Sequence, residues 1–336
     1  MRVSLQKVAD HLGLNRSTVS RALRDDPSIP PTTRDRIKAA CKELGYRPNS
    51  LISELASSRW MAGNDSKGTI IAHIICKRRE LRMGVDIDQA IREQASFLGY
   101  QVETFRMEEI KSSAKLQRIL HHRNITDLIL DPVFEDDLRV DLDWDKFISV
   151  QIHPGFFPLP LHSVSHDQFE AVLLCWQKAV SYGYRRIGIV LLDHGANLKD
   201  DFHRLSAANA CQNLLFGHLP SIPVFQLKIK RDDPMVQEFA DWVKLNQPDV
   251  IIGFTSAHFY YYRTEFQRDI PYISLHANQD TEFAGLIGDE GESAREAVNL
   301  LHYCRRTFQW GIPKRRIEHV IEPVWKDGLS LPKKQG

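Results

Sequence analysis

The stretch Gly13-Leu14-Asn15-Arg16-Ser17-Thr18-Val19-Ser20-Arg21-Ala22-Leu23 constrains this chain more than any other. Glycine tolerates the left-handed conformation that ends one helix, and Asn15 is a good N-cap for the next. At helical spacing Val19, Ala22 and Leu23 share an apolar face, whereas Arg16, Ser17, Ser20 and Arg21 lie on the opposite, exposed face. Upstream, Ser4 can cap a first helix that gathers Leu5, Val8, Ala9 and Leu12 on one side. Two short helices joined by a glycine-containing turn predict a helix-turn-helix; the rival reading is a helical hairpin with a solvated outer face. Arg16, Ser17 and Arg21 stand where side chains enter a major groove, arginine being suited to bidentate pairing with guanine. Asn15, Thr18, Ser20, Ser4 and Asn49 suit phosphate or backbone contacts, helped by the partial positive charge of a helix N-terminus.

A third helix is expected from residue 32 or 33 to 44, with Pro31 acceptable at its start and Ile37, Ala40, Cys41 and Leu44 facing inward. Gly45-Tyr46-Arg47-Pro48-Asn49 and a small apolar helix over 50–56 follow. Taken together, Val8-Ala9, Gly13, Arg16-Ser17-Thr18-Val19-Ser20-Arg21, Thr33-Arg34, Ala39-Ala40, Glu43-Leu44-Gly45-Tyr46-Arg47-Pro48-Asn49 and Leu55-Ala56 resemble the DNA-binding headpiece and hinge of the lac-repressor (LacI) family. The resemblance implies a homodimer that sets two headpieces on a pseudo-palindromic, double-stranded operator. It also implies that paired hinge helices meet in the minor groove. There Leu55 matches the family's wedge residue, with Leu51 and Ile52 at the same interface. A helix of about two turns is unstable alone, so the hinge is expected to order only with dimer and DNA in place.

Charge agrees with that division. Residues 1–60 carry 11 Lys or Arg against 6 Asp or Glu, and the remainder carries 33 against 37, so a net charge of +1 conceals a basic N-terminal end. No apolar run approaches the ~18 residues of a membrane span, and no signal peptide precedes the first helix, so a cytoplasmic protein without a membrane partner is expected. Cys41, Cys76, Cys175, Cys211 and Cys304 lack CxxC spacing and read as reduced core residues.

After a polar linker over 57–67, short apolar runs alternate with amphipathic helices. Strands are expected at 69–76, 101–105, 127–130, 147–151, 186–192, 224–227, 250–254, 272–275 and 317–321. Helices are expected at 85–98, 113–123, 168–182, 205–216, 235–246 and 292–309. This alternation implies parallel sheets covered on both faces, and the number of strands implies two lobes with a ligand cleft at their carboxyl ends. Tyr182-Gly183-Tyr184-Arg185-Arg186-Ile187-Gly188, Gln247-Pro248-Asp249-Val250-Ile251, Asp269-Ile270-Pro271 and Glu322-Pro323-Val324-Trp325 resemble the periplasmic-binding-protein-like sensor of the same family. The organisation read is therefore an all-α helix-turn-helix headpiece over 1–48, a hinge helix and linker over 49–67, and an α/β two-lobed effector-binding and dimerisation domain over 68–336. The resemblance implies that the lobes close on a small effector, often a sugar or its phosphate.

For the effector, Arg204 occupies the place of the family's gripping arginine; the alternative is a surface or interdomain salt bridge. Thr255-Ser256 stand where family members often carry Asn-Asp, and His276 where an aspartate is expected. Lys77 and Arg78 follow the first strand. Lys77, Arg78, Arg204 and His276 at one mouth would prefer an anionic ligand such as a sugar phosphate or uronate. If instead they face solvent, the cleft is degenerate and DNA binding is independent of an effector. Phe156, Phe157, Phe202, Phe259 and Tyr260 to Tyr262 are candidate rings for a sugar face, or core and dimer interface. No phosphate-cradle, zincin or nucleophile-elbow motif is present, and His121-His122 has poor ligand spacing, so no enzyme, cofactor or metal is expected. Asp193-His194 with Asp200-Asp201 is the one set with acid-base potential.

Overall fold

The computed structural model describes residues 5–23, 29–44, 46, 69–76, 87–133, 136–155, 157–194, 198–228, 233–254, 270–277, 282–287 and 290–334. The hinge helix, the linker, and Ser4, Asn49, Leu51, Ile52, Leu55, Lys77, Arg78, Thr255 and Ser256 lie outside them.

The N-terminal unit holds α1 (Leu5–Leu12), α2 (Arg16–Ala22) and α3 (Pro31–Glu43). Gly13 adopts φ 66°, the left-handed turn that a glycine provides between the first two helices. Val8, Ala9, Val19, Ala22, Ile29, Ile37 and Cys41 close a small core, and the Arg36 guanidinium caps the Leu12 carbonyl at 2.9 Å.

Residues from 69 onward form two lobes of like design. The first contains β1 (Ile70–Ile75), α4 (Ile87–Phe97), β2 (Gln101–Arg106), α5 (Ser113–His122), β3 (Asp127–Leu130), β4 (Ile148–Ile152) and β5 (His162–His166). The second contains α6 (Gln168–Ser181), β6 (Ile187–Asp193), α7 (Lys199–Ala210), β7 (Phe225–Lys228), α8 (Asp233–Asn246), β8 (Val250–Gly253), β9 (Tyr272–Ala277) and β10 (Ala284–Ile287). The chain then returns to the first lobe with α9 (Glu290–Arg306) and β11 (Glu318–Ile321), and finishes in the second with β12 (Val324–Lys326). The sheets run β2-β1-β3-β4-β5-β11 and β7-β6-β8-β9-β10-β12, parallel throughout except for antiparallel β12. By the order of these elements the chain crosses between lobes three times, after His166, before Glu290 and after Ile321.

The inner strands read as apolar runs because helices cover both faces: β3, β4 and β8 are buried at every residue. One face of the first sheet packs Ile71, Ile129, Ile148, Val150 and Ile152 against Ala90, Ile91 and Ala95 of α4 and Ala294, Ala297, Val298 and Leu301 of α9. In the second lobe Val172, Cys175 and Trp176 of α6 pack on Ile187, Ile189, Val250 and Ile252. All five cysteines are free and buried. Among the described residues no helix is long and apolar enough to cross a membrane.

Polar contacts add specificity to the docking of α9. Its residue Arg305 pairs with Asp127, which opens β3 and is fully buried, while Asn299 accepts from Gln94 of α4 at 2.7 Å and His302 pairs with the Tyr100 hydroxyl at 2.8 Å. Burial raises the Asp127 pKa and Arg305 opposes that rise. Removing Arg305 strands a carboxylate where water does not reach it. Arg305→Ala is expected to cost about 3 kcal/mol of stability in urea unfolding, and Asp127→Asn in the same background to recover part of it. An unchanged midpoint in the single variant would remove the pair from the forces docking α9.

Candidate functional site

The first candidate surface is the outer face of α2. Val19 and Ala22 are buried beneath it, Asn15, Arg16, Ser17 and Arg21 are exposed, and Thr18 and Ser20 are half-buried. Asn15 has extended backbone (φ −71°, ψ 144°) at the N-cap position, yet its side chain makes no capping hydrogen bond. A helix N-terminus thus keeps its first N–H groups available beside Arg16 and Ser17.

The second candidate surface is where the carboxyl ends of both sheets meet. Asp131, His153 and His166 follow or end β3, β4 and β5; His194 and Phe254 follow β6 and β8, and His276 lies at the end of β9. Arg204, from α7, is buried there. Its Nε donates to Gln168 Oε1 at 2.9 Å, its Nη1 donates to Asp201 Oδ1 at 3.1 Å, and its guanidinium lies 4.8 Å from the Phe254 ring centre. Asp201 also holds His194 Nδ1 at 2.7 Å. Burial lowers the Arg204 pKa, and Asp200 and Asp201 counter it. His276 stands 4.7 Å from Phe254, and its buried Nδ1 has no hydrogen-bond partner. Burial, then the neighbouring Arg204, lowers its pKa to about 3, so it is a neutral imidazole at physiological pH.

Toward the first lobe, His153 Nε2 lies 3.0 Å from Glu290 Oε2, and the His153 and His166 rings stack with centres 4.9 Å apart. Burial opposes charge on His153, but Glu290 outweighs it and raises the pKa. Burial likewise disfavours the Glu290 carboxylate, yet His153 holds its pKa down at about 2. Beneath them His73 sits fully buried between Asp88 at 2.8 Å and Asp131 at 3.0 Å. Asp88 in turn accepts from Arg92 at 2.6 Å and Thr104 at 2.5 Å.

His276 is neutral and Arg204 is balanced by an aspartate in its own helix, while Lys77 and Arg78 lie outside the described residues. Of the candidate rings, Phe157 packs into the first-lobe core beneath Arg139 and Phe202 is 69% exposed, while the ring at the arginine is Phe254, just after β8. His153, His166, Glu290 and Gln168 were missed in the sequence. The available signal was positional: each stands where a strand ends or a helix begins at the ligand-facing edge.

A small helix-turn-helix unit in one chain with two parallel α/β lobes joined by three crossings defines a two-lobed periplasmic-binding-protein-like domain with an N-terminal head. Residues 4–49 match the family described as "Bacterial regulatory proteins, lacI family". This match covers the N-terminal unit of the chain. The chain is 44% identical over 59 residues to the HTH-type transcriptional regulator AglR of Rhizobium meliloti (strain 1021), covering 18% of this chain and 17% of that protein. It is 24% identical over 207 residues to the HTH-type transcriptional regulator RafR of Escherichia coli, covering 56% of this chain and 55% of that one. The chain thus spans about half or less of these curated relatives. Among solved structures, a transcriptional regulator CelR–cellobiose complex superposes with a TM-score of 0.57 at 18% identity, over 98% of this chain and 100% of that one. A lac repressor dimer bound to operator and the anti-inducer ONPF gives 0.54 at 15%, over 99% and 100%. These structural likenesses establish the fold.

The His73 triad carries a pH signature. Burial lowers the His73 pKa, but Asp131 and then Asp88 raise it from 6.5 to about 9, so its contribution to stability is full below pH 6.5 and lost as pH rises through 9. His73 lowers the Asp88 pKa below 3.8, so that half of the contribution is present above pH 3.8 and lost on acidification. The stability lost in His73→Gln should therefore be largest between about pH 4 and 6.5 and shrink toward pH 9. Urea titrations at pH 5.5 and 9.5 check this; an equal loss at both would show that His73 is neutral in the folded chain.

Proposed function

We propose that this chain is a sequence-specific transcriptional regulator, a repressor in the simplest reading, whose operator affinity responds to a small sugar-like effector. The observation that carries the reading is the exposed Asn15-Arg16-Ser17-Arg21 face, supported from beneath by Val19 and Ala22, within the segment that matches the lacI family. Two copies set two such faces on a pseudo-palindromic site. Arg16, Ser17 and Arg21 read bases; Ser4, Asn15, Thr18, Ser20 and Asn49 hold the backbone; Leu51, Ile52 and Leu55 enter the minor groove and bend the duplex.

The effector binds between the lobes against Arg204, Phe254 and His276, with Lys77, Arg78, Thr255 and Ser256 as further candidate contacts. An arginine lying on an aromatic ring, beside uncharged polar groups, suits the alternating apolar and hydroxyl faces of a carbohydrate. The cellobiose in the CelR complex and the family's "Sucrose operon repressor" of Escherichia coli point to the same ligand class. Closure around the sugar changes the spacing of the two linkers that lead to DNA, which couples the sites if the sugar prefers one lobe arrangement. One observation favours an effector-independent regulator instead: Arg204 already has protein partners at Gln168 and Asp201.

Two measurements separate these readings. After selection of bound duplexes from a random pool, Arg21→Ala is expected to weaken the selected site by about 1–3 kcal/mol and relax its sequence preference. An equal loss on random DNA would contradict base reading. A thermal-shift panel of neutral sugars, sugar phosphates and uronates is expected to yield a neutral sugar that raises the melting temperature of the native chain and not of Arg204→Ala. A panel with no hits favours the effector-independent form.

A further inference from the structure

The cluster at the crossings is not used by the regulatory reading. His153 follows β4, His166 ends β5 and Glu290 opens α9, and one ligand atom from each lies within 4.8 Å of the others. These groups are poorly served by one another. His153 Nε2 is 3.0 Å from Glu290 but lies off hydrogen-bonding geometry, and is left as a buried nitrogen without a hydrogen-bond partner. His166 Nε2 meets Ser293 Oγ at 3.2 Å. From the second lobe His276, whose Nδ1 is likewise buried and unpartnered, feels the charge of Glu290 and of both histidines. Two buried imidazole nitrogens beside one carboxylate, His153 Nε2 and His276 Nδ1, thus lack a hydrogen-bond partner.

A cation at this cluster gives the buried His153 nitrogen the partner it lacks. Two imidazoles and one carboxylate are the donor set of three-ligand zinc sites that keep a fourth position open, and nitrogen donors disfavour magnesium and calcium. We propose that His153, His166 and Glu290 bind one divalent transition-metal ion of the zinc class at the junction of the lobes. His166 stands where the chain leaves the first lobe and Glu290 where it returns, so the ion ties two of the three crossings together and fixes their spacing. His276 approaches this cluster from the second lobe, which links occupancy to the lobe arrangement. This site requires neither DNA nor sugar, so it stands or falls separately from the proposed function.

The test is titration of the full, chelator-stripped chain with Co2+ and Zn2+, followed by calorimetry and visible absorption. One Co2+ per chain is expected, with absorption bands of a low-coordinate site that Zn2+ abolishes. His166→Ala and Glu290→Gln should each weaken binding more than about tenfold while keeping the far-ultraviolet dichroism of the native chain. Zn2+ should raise the melting temperature of the native chain and not of these variants. X-ray absorption on the zinc-loaded native chain should count two imidazoles per ion, a readout that does not depend on the variants folding. No saturable binding, binding undiminished in both variants, or a zinc shell without two imidazoles would overturn the proposal.

Discussion

The body of this protein depends on a helix that belongs, in space, to a lobe the chain has already left. Helix α9 fills the face of the first sheet with Ala294, Ala297, Val298 and Leu301, and its last turn neutralises the buried Asp127 through Arg305. Its charges follow its dipole, with Glu290 and Glu292 at the start and Arg305 and Arg306 at the end. Because that helix must return, the lobes are joined by three chain crossings instead of one. A relative rotation of two bodies held this way bends the connections and leaves the sheets intact.

The same constraint explains why the cleft is built from paired charges. Lys199 of α7 reaches Glu318 of β11 at 2.6 Å, and Glu318 also accepts from Ser165 at 2.8 Å, so the lobes are linked through a polar contact that water can replace. Arg204 is held by Asp201 and Gln168 within the described arrangement. An effector that takes a hydrogen bond from one of these partners must offer an equivalent one, since an unpaired buried group costs more than the average hydrogen bond gains.

How much of this is legible in the sequence depends on whether a residue's role is local. Gly13, Asn15 and the apolar positions of α2 announce themselves through turn chemistry and helical period, and α2 lies where they place it. Strands β1, β3 and β8 are legible as apolar runs. Strand β5 is not, because His162-Ser163-Val164-Ser165-His166 is polar in composition and is buried only thanks to distant partners: Gln309, Glu318 and Ser293. Strand β12 has only three residues, too few for a pattern, and Gly285 interrupts the apolar run of β10. The start of α7 at Lys199 is hidden because Lys-Asp-Asp-Phe-His-Arg shows no apolar stripe, and Leu205 is where a stripe becomes visible. The cluster of His153, His166 and Glu290 is brought together by topology alone, and no spacing in the sequence encodes it.

The late return of α9 and β11 has a consequence for synthesis. While the second lobe is still emerging from the ribosome, the first sheet has its strands through β5 but lacks the helix that covers Ile71, Ile129, Ile148 and Val150 on that face. The second lobe, for its part, waits for β12 and for Leu331, which is buried in its core. Neither lobe can complete on its own from a partial chain, so the nascent protein carries an open apolar face until α9 and β12 have been made. Such a chain is a natural client for folding helpers, and its slowest step is set by contacts between residues far apart in sequence.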